Sequence, residues 1–325
     1  RPRCPPLRFR AMSAGSRAVV DVVIVTADTR ELALACLATL DDPAVASITV
    51  VDNASADGTA AAVVERFPSA RVVALERPGG FAFACNRGAE QGSAAHVLFL
   101  NSDTLVTQGA ISTLVEALSQ HTGAVAAGGR LVDPDSLATQ PRYGPQRFPT
   151  LPALAVRFSG LEQRWPNNPW TAAHVRRPLD DSAVVDVEQP AGACLLVRRD
   201  AFERVGCFDE RYWFWYEDVD LARRLHETGR VLHVPGAVFR HHGGETFKQW
   251  DRERGTRSMV HGALHYAEQH LPRRRQVGFA LILVAVSAAR VARLSRREPD
   301  QARVHRAVLR AALALLAGRP VPSLV

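Results

Sequence analysis

What the chain lacks narrows its class first. Its five cysteines, Cys4, Cys36, Cys85, Cys194 and Cys207, are scattered and none is in a Cys-x-x-Cys pair. That spacing argues against a disulfide or zinc framework and predicts reduced, structural thiols in a cytosolic protein. No apolar run reaches the roughly 20 residues that a bilayer-spanning helix needs. The longest, 277–289 (VGFALILVAVSAA), has thirteen residues and is flanked by arginines. It is expected to be an interfacial or buried helix. The first apolar run, 19–25, is broken by Asp21 and is too short for a secretory signal. Internal repeats are absent. Lysine is nearly absent too: Lys248 is the single one among 40 basic residues. With the alanine richness, that bias follows genome composition rather than arginine chemistry.

What is present is a chain of 325 residues, 47% hydrophobic, with a net charge of +7. That is enough for one large domain or two small ones. The charge is uneven. Residues 251–325 carry fourteen arginines against five acidic residues, and the first eleven residues carry four more arginines. The middle of the chain is therefore mildly acidic, which argues against nucleic acid as the ligand. The basic tail suits an anionic membrane surface. Residues 1–11 are rich in proline and arginine and show no periodicity; residues 1–17 are expected to be a disordered or mis-assigned leader, with Met12 a candidate start.

Strand and helix signals alternate over the first part. Residues 19–26 (VVDVVIVT), 47–52 (SITVVD), 71–75 and 96–100 (HVLFL) read as buried parallel strands. Helical segments at 31–40, 59–66, 83–91 and 111–120 separate or follow them. The pattern predicts a doubly wound α/β unit, whose ligands bind beyond the carboxyl ends of the strands. Asp28, Asp52 and Asp103 all stand at such ends. Further strand-like pieces fall at 124–127, 130–132, 194–197, 231–234 and 237–239. Between them, residues 133–182 hold eight prolines and little periodicity, the mark of a segment that covers a site or is disordered. A helix is expected over 257–270. Residues 303–317 are amphipathic, with Arg303, Arg306 and Arg310 on one face and Leu309, Leu313 and Leu316 on another. The expected division is 18–125 for nucleotide binding, 126–250 for acceptor and catalysis, and 251–325 for a membrane-associating tail.

The chemistry concentrates in 192–246. An aromatic run, Tyr212-Trp213-Phe214-Trp215-Tyr216, leads into Glu217-Asp218-Val219-Asp220. Aromatic faces fill cores or bind sugar rings, and a carboxylate beside them can take a proton from a hydroxyl. Val219, Leu221 and Leu225 give helical spacing, so the carboxylates fall in a first turn, where the helix dipole favours their ionised form. Asp220 and Arg224 are spaced to pair, leaving Asp218 and Glu217 for catalysis. Trp213, Trp215 and Tyr216 are the candidate acceptor contacts. Acidic residues also enrich first turns without any catalytic role.

Asn101-Ser102-Asp103 resembles a metal-binding Asp-x-Asp element with Asn in first place, where a carboxylate can hold Mg²⁺ or Mn²⁺. The same residues also suit a turn or cap. Asp52-Asn53 can accept hydrogen bonds from a base or ribose, or simply form a turn. Asn86-Arg87-Gly88 can contact ribose or phosphate, or present a solvated charge. His241 and His242, followed by Gly243-Gly244, can hold metal or diphosphate.

Taken in order, VVIVT (22–26), VVDNASADGT (50–59), NRGAEQG (86–92), FLNSDTLV (99–106), GACLLVRRDAF (192–202), VGCFDERYWFWYEDVDLARRL (205–225) and HHGGET (241–246) resemble the family 2 glycosyltransferases, in their rhamnosyltransferase-like branch. The resemblance covers 19–270. It implies a GT-A fold, a doubly wound mixed α/β sheet with flanking helices, here followed by C-terminal amphipathic and apolar helices. It implies a nucleotide-sugar donor held by Thr26, Asp28, Asp52, Asn53, Asn86, Arg87, Gly88, Asn101 and Ser102. Asp103, with His241 or His242, would hold a divalent metal, and Asp218 would be the general base. The implied donor is dTDP-L-rhamnose, ahead of UDP-linked hexoses. The implied acceptor is a glycan or lipid-linked hydroxyl, met by a peripheral protein on the inner face of the cell membrane. One departure stands out: the family carries Tyr or Phe then Asn after the first strand, where this chain has Ala27-Asp28. A nucleotidyltransferase would want a Gly-rich, basic loop there, which Thr26-Ala27-Asp28 is not. An inactive sugar-binding module would not need Asp103 or Glu217-Asp218.

Overall fold

The computed structural model describes residues 18–174, 183–190, 192–244, 248 and 251–325. The expected leader, 1–17, and Glu245-Thr246 lie outside the described residues.

The first half is built as the apolar runs require. Strands β1 (Val20–Thr26), β2 (Val45–Asp52), β3 (Arg71–Ala74) and β4 (His96–Asn101) are parallel, in the order β3-β2-β1-β4. They alternate with α1 (Arg30–Ala38), α2 (Thr59–Arg66) and α3 (Phe81–Ala89). Gly88 lets α3 approach the sheet, because a Cβ there would overlap Val23 and crowd Val51. The interruption at Asp21 is a buried staple. Its carboxylate accepts from Arg199 at 2.8 Å, the Ala94 N–H at 2.7 Å and the Ser47 hydroxyl at 2.5 Å. Full pairing is what makes a charge tolerable there.

The sheet continues without a break into the second half. After the short β5 (Thr104–Val106) and α4 (Ala110–Gln120) come β6 (Ala124–Val132), β7 (Val185–Asp186), β8 (Cys194–Arg198) and β9 (Arg230–His241). β8 lies antiparallel between β4 and β6, and β9 follows, edged by β5 and β7. The sequence divided β6 and β9 into two pieces each. Both are single strands whose mutual register shifts between Gly129 and Arg130. Gly129 is required at that irregularity, since a Cβ would overlap the Phe239 ring.

Over its described residues, 133–174, the proline-rich segment holds more regular structure than its lack of periodicity suggested. It forms a 3₁₀ turn at Pro141–Tyr143 and helices α5 (Leu151–Ser159), α6 (Leu161–Arg164) and α7 (Pro169–His174). Proline stands at the start of the 3₁₀ turn, α5 and α7, where its missing N–H costs nothing, so proline density here marks helix starts rather than loops. After α8 (Arg199–Arg204) and α9 (Glu217–Leu225), the chain ends in α10 (Arg252–His270), α11 (Arg273–Leu294) and α12 (Pro299–Leu316).

These last helices build a second core with Leu154 and Phe158 of α5 and with Tyr212, Tyr216 and Val219. Two tail expectations change. The apolar run belongs to a helix of 22 residues, long and apolar enough to cross a membrane, yet Phe279, Ala280, Leu283 and Ser287 are buried against the protein. On α12 the packed face is Ala302, Val304, His305, Val308, Ala311, Ala312 and Leu315, while Leu313 is 46% exposed. Leu309 and Leu316 are half-buried, and Leu316 packs against the second core, so only Leu313 of the expected leucine stripe faces outward.

Candidate active site

The strand registers bring the acidic residues to one edge. Thr26 pairs with Asp52, and Val25 with Asn101. Across the antiparallel step, Leu100 pairs with Cys194, and the Asn101 N–H donates to the Ala193 carbonyl at 3.0 Å. The next residue back, Gly192, packs on Asp218: a Cβ on it would overlap Asp218 Oδ2. Asp52, Asp103 and Asp218 thus line the carboxyl edge of the parallel strands.

The Asp218 carboxylate is half-buried at the start of α9. Oδ1 accepts from the Val219 N–H at 2.8 Å and Oδ2 from Gln189 Nε2 at 3.2 Å. Burial nevertheless raises its pKa above the ordinary aspartate value. The dipole expectation is corrected in that respect: loss of solvent outweighs the helix terminus and two donors. Glu217 is buried, its Oε2 has no hydrogen-bond partner, and burial together with the Asp218 charge pushes it well above the carboxylate range. Asp220 is buried and held by Arg224 Nε at 2.9 Å and His270 Nε2 at 2.7 Å.

Trp215 and Tyr216 precede α9 with φ of 67° and 70°, a left-handed pair that costs energy in bulky residues. Helix α10 moulds this turn. Ser258 donates to the Phe214 carbonyl at 3.1 Å, and a Cβ on Gly262 would stand 2.5 Å from the Trp215 oxygen. Trp213 and Trp215 are half-buried. Tyr216 is not an exposed platform: it is 5% accessible and belongs to the second core.

Asp103 is buried, with Oδ1 3.5 Å from His241 Nε2. Burial lowers the His241 pKa, favouring the neutral ring that a metal requires. His242 is exposed and contributes its N–H to the Asp103 carbonyl at 3.0 Å. Among the described residues no three His, Cys, Asp or Glu groups converge on one metal position, so the expected trio of Asp103, His241 and His242 reduces to a facing pair.

The nucleotide-loop residues are laced together. Asp28 (φ 50°) accepts from the Ala56 N–H at 2.7 Å, and its own N–H donates to Ser55 Oγ at 3.0 Å. Asp52 caps the same loop through the Ser55 N–H at 3.0 Å. Asn53 exchanges two hydrogen bonds with Gly79, at 2.9 and 2.7 Å. Thr26 and Ser102 are buried and join through Thr29, at 2.9 and 3.1 Å. Asn86 serves the fold: its amide bonds the Phe208 carbonyl, the Phe208 N–H and Glu210. Arg87 pairs with Glu90 and, at 3.5 Å, with Glu210. Cys36, Cys85, Cys194 and Cys207 are buried, and none is in a disulfide among the described residues.

Gln189, Gln140 and Gly262 carry site geometry that the sequence reading missed. Lone glutamines and a mid-helix glycine give no periodic or motif signal. Gly192 lay inside a motif but had no visible reason.

The chain is similar to known proteins in sequence and in fold. The chain is 36% identical over 212 residues to the N-acetylglucosaminyl-diphospho-decaprenol L-rhamnosyltransferase of Mycobacterium tuberculosis, covering 60% of this chain and 66% of that protein, just under two thirds of its length. It is 27% identical over 157 residues to rhamnosyltransferase WbbL of Escherichia coli K12, covering 47% and 55% of the two chains. A GalNAc-T7 structure with UDP, GalNAc and Mn²⁺ superposes with a TM-score of 0.58 at 15% identity, over 94% of this chain and 58% of that one; that likeness is one of fold, the GT-A fold. The sequence profile described as "Glycosyl transferase family 2" matches residues 21–206, from the first strand to the turn after α8. Spanning more than half of the chain and all four parallel strands, that match shows that the protein belongs to glycosyl transferase family 2.

Proposed function

We propose that this protein is an inverting sugar transferase that moves L-rhamnose from dTDP-L-rhamnose to a hydroxyl of a lipid-linked glycan. The observation that carries the reading is the half-buried Asp218 carboxylate on the same sheet edge as Asp52 and Asp103. The choice of sugar and of a diphospho-polyprenol acceptor rests on the relatives' names.

The donor nucleotide is placed against the Asp28, Asp52 and Asn53 loops, and the acceptor approaches past Trp213 and Trp215. Asp218 takes the proton of the acceptor hydroxyl as that oxygen forms its bond to the anomeric carbon. The bond from that carbon to the diphosphate breaks on the opposite face, so the configuration inverts. A carboxylate whose pKa is raised by burial is a stronger base than one in water, which suits the step. Asp103 and His241 fit a small divalent cation: a buried carboxylate faces a buried ring nitrogen that has no hydrogen-bond partner. Such a cation, Mg²⁺ or Mn²⁺, would neutralise charge on the departing diphosphate.

The arginine-rich helices α11 and α12 are proposed to lie on the anionic inner face of the cell membrane, near the lipid acceptor. A thermal-shift panel of nucleotide sugars with Mn²⁺ tests the donor, since a bound ligand raises the melting temperature by mass action. Stabilisation by dTDP-L-rhamnose above UDP-hexoses is expected. Equal response to all, or to none, overturns the rhamnose assignment. Transfer that survives thorough chelation removes the metal.

A further inference from the structure

Gln140 precedes the 3₁₀ turn in the proline-rich segment, and its backbone is fixed. Its N–H donates to the Leu131 carbonyl at 2.9 Å, and its carbonyl accepts from the Tyr143 N–H at 3.0 Å. Its side chain makes two bonds to one residue. Nε2 donates to the His241 carbonyl at 2.8 Å, and Oε1 stands 3.1 Å from His241 Nδ1. The first bond decides which way the amide points, because a backbone carbonyl only accepts. The amide oxygen is thereby left facing Nδ1. An amide oxygen also only accepts, so Nδ1 carries the proton. A neutral imidazole has one ring proton, and Nε2 is therefore a bare lone pair.

That lone pair faces Asp103 Oδ1 at 3.5 Å and makes no hydrogen bond. Two acceptors confront each other in a buried place. The ring cannot easily turn away: Tyr143 lies edge-on to it at 4.7 Å between centroids. Gly243 (φ 84°) leaves room for that tyrosine, since a Cβ there would come within 3.0 Å of its hydroxyl.

We propose that Gln140 is a positioning residue that holds His241 in the Nδ1–H tautomer and aims its Nε2 lone pair at Asp103, creating the cation-binding pair. The purpose of the device rests on the metal reading above; the tautomer does not. The test uses the full-length, metal-free protein with ¹⁵N-labelled histidine at pH 8. Long-range ¹H–¹⁵N correlations report which ring nitrogen of His241 is protonated, and its signals are identified by their loss in His241→Gln. The expected result is Nδ1–H in the wild type and loss of that preference in Gln140→Leu. Gln140→Glu gives up the donor to the His241 carbonyl but still accepts from Nδ1–H, and should keep the tautomer.

In parallel, free Mn²⁺ is counted by electron paramagnetic resonance during titration. Gln140→Leu should bind Mn²⁺ about 10- to 100-fold more weakly, the usual effect of losing a partner that orients a metal-binding histidine, and Gln140→Glu, which keeps the acceptor to Nδ1–H, should lose less than Gln140→Leu. An Nε2–H tautomer in the wild type overturns the proposal. So does a Leu variant with wild-type tautomer and wild-type Mn²⁺ affinity. If Gln140→Leu does not fold, the wild-type tautomer and the Glu variant decide. A wild type that fails to bind Mn²⁺ sinks the metal reading while the tautomer measurement still judges Gln140.

Discussion

Gly192 lies against the carboxylate of Asp218 so closely that any side chain at 192 would occupy the space of Oδ2. The glycine is therefore part of how the proposed base is aimed. An alanine there meets a spatial obstacle, the Asp218 carboxylate. Gly192→Ala should fold and melt near wild type but displace Asp218 from Gln189. A displacement of about 1 Å can cost roughly 100-fold in rate, and a loss of that order in kcat is expected from steady-state transfer assays. A variant with unchanged kcat would mean that the carboxylate position does not matter.

Asp218→Asn removes the proposed base while keeping the shape. General base catalysis typically supplies about 10²–10⁴-fold, so turnover should fall by at least about 100-fold. Because burial raises the Asp218 pKa, the acid limb of kcat/KM should have its midpoint above the ordinary aspartate value of about 3.9. Activity should rise with pH through that midpoint as the carboxylate forms. The Asn variant should lack the limb. A pH profile that keeps the same limb in Asp218→Asn assigns the titration to another group.

The neighbouring Glu217 makes a separate, thermodynamic prediction. Its folded pKa lies well above its ordinary value of 4.5 because it is buried beside Asp218. The fold thus prefers the protonated form. That preference is fully present below the unfolded pKa and is lost as pH rises through the folded one. Glu217→Gln cannot titrate, so its stability should not carry this decline. Measured by thermal melts from pH 5 to pH 8, the wild type should lose stability relative to Glu217→Gln as pH increases. Parallel curves would show that Glu217 titrates normally.

The parallel half of the sheet was legible because continuous β-branched runs have few other places to go, and with it the position of Asp52 and Asp103 at strand ends. The second half was less so. The shift at Gly129 looked like two strand ends, since a bulge and a turn both break the period. The helices of 151–174 were hidden by short length and by prolines that stand at helix starts. At the site, Asp218 was visible from the company it keeps, whereas its protonation behaviour depends on burial, which only the packing of Gly192 and α10 determines. Tyr216 shows the same limit in reverse: an aromatic beside a carboxylate suggested an acceptor platform, and tertiary packing placed it in a core.

The C-terminal helices call for substitution rather than deletion. Removing residues beyond 272 would strip Phe279, Leu283, Val304, Val308 and Leu315 from the second core, so a truncated chain failing to bind membranes would prove little. Leu281 and Leu313 are 51% and 46% exposed, one on each of the last two helices. Arginines 290, 293, 303, 306 and 310 share those helices. Apolar side chains that enter a headgroup layer together with basic ones that meet anionic lipid add their contributions. The double variant Leu281→Glu/Leu313→Glu should therefore retain its fold and lose flotation with vesicles containing phosphatidylglycerol. The wild type should float with those vesicles, less so at high salt, and weakly with neutral ones. Flotation of the double variant equal to wild type, or wild-type flotation indifferent to lipid charge and salt, would reject this face as the membrane contact.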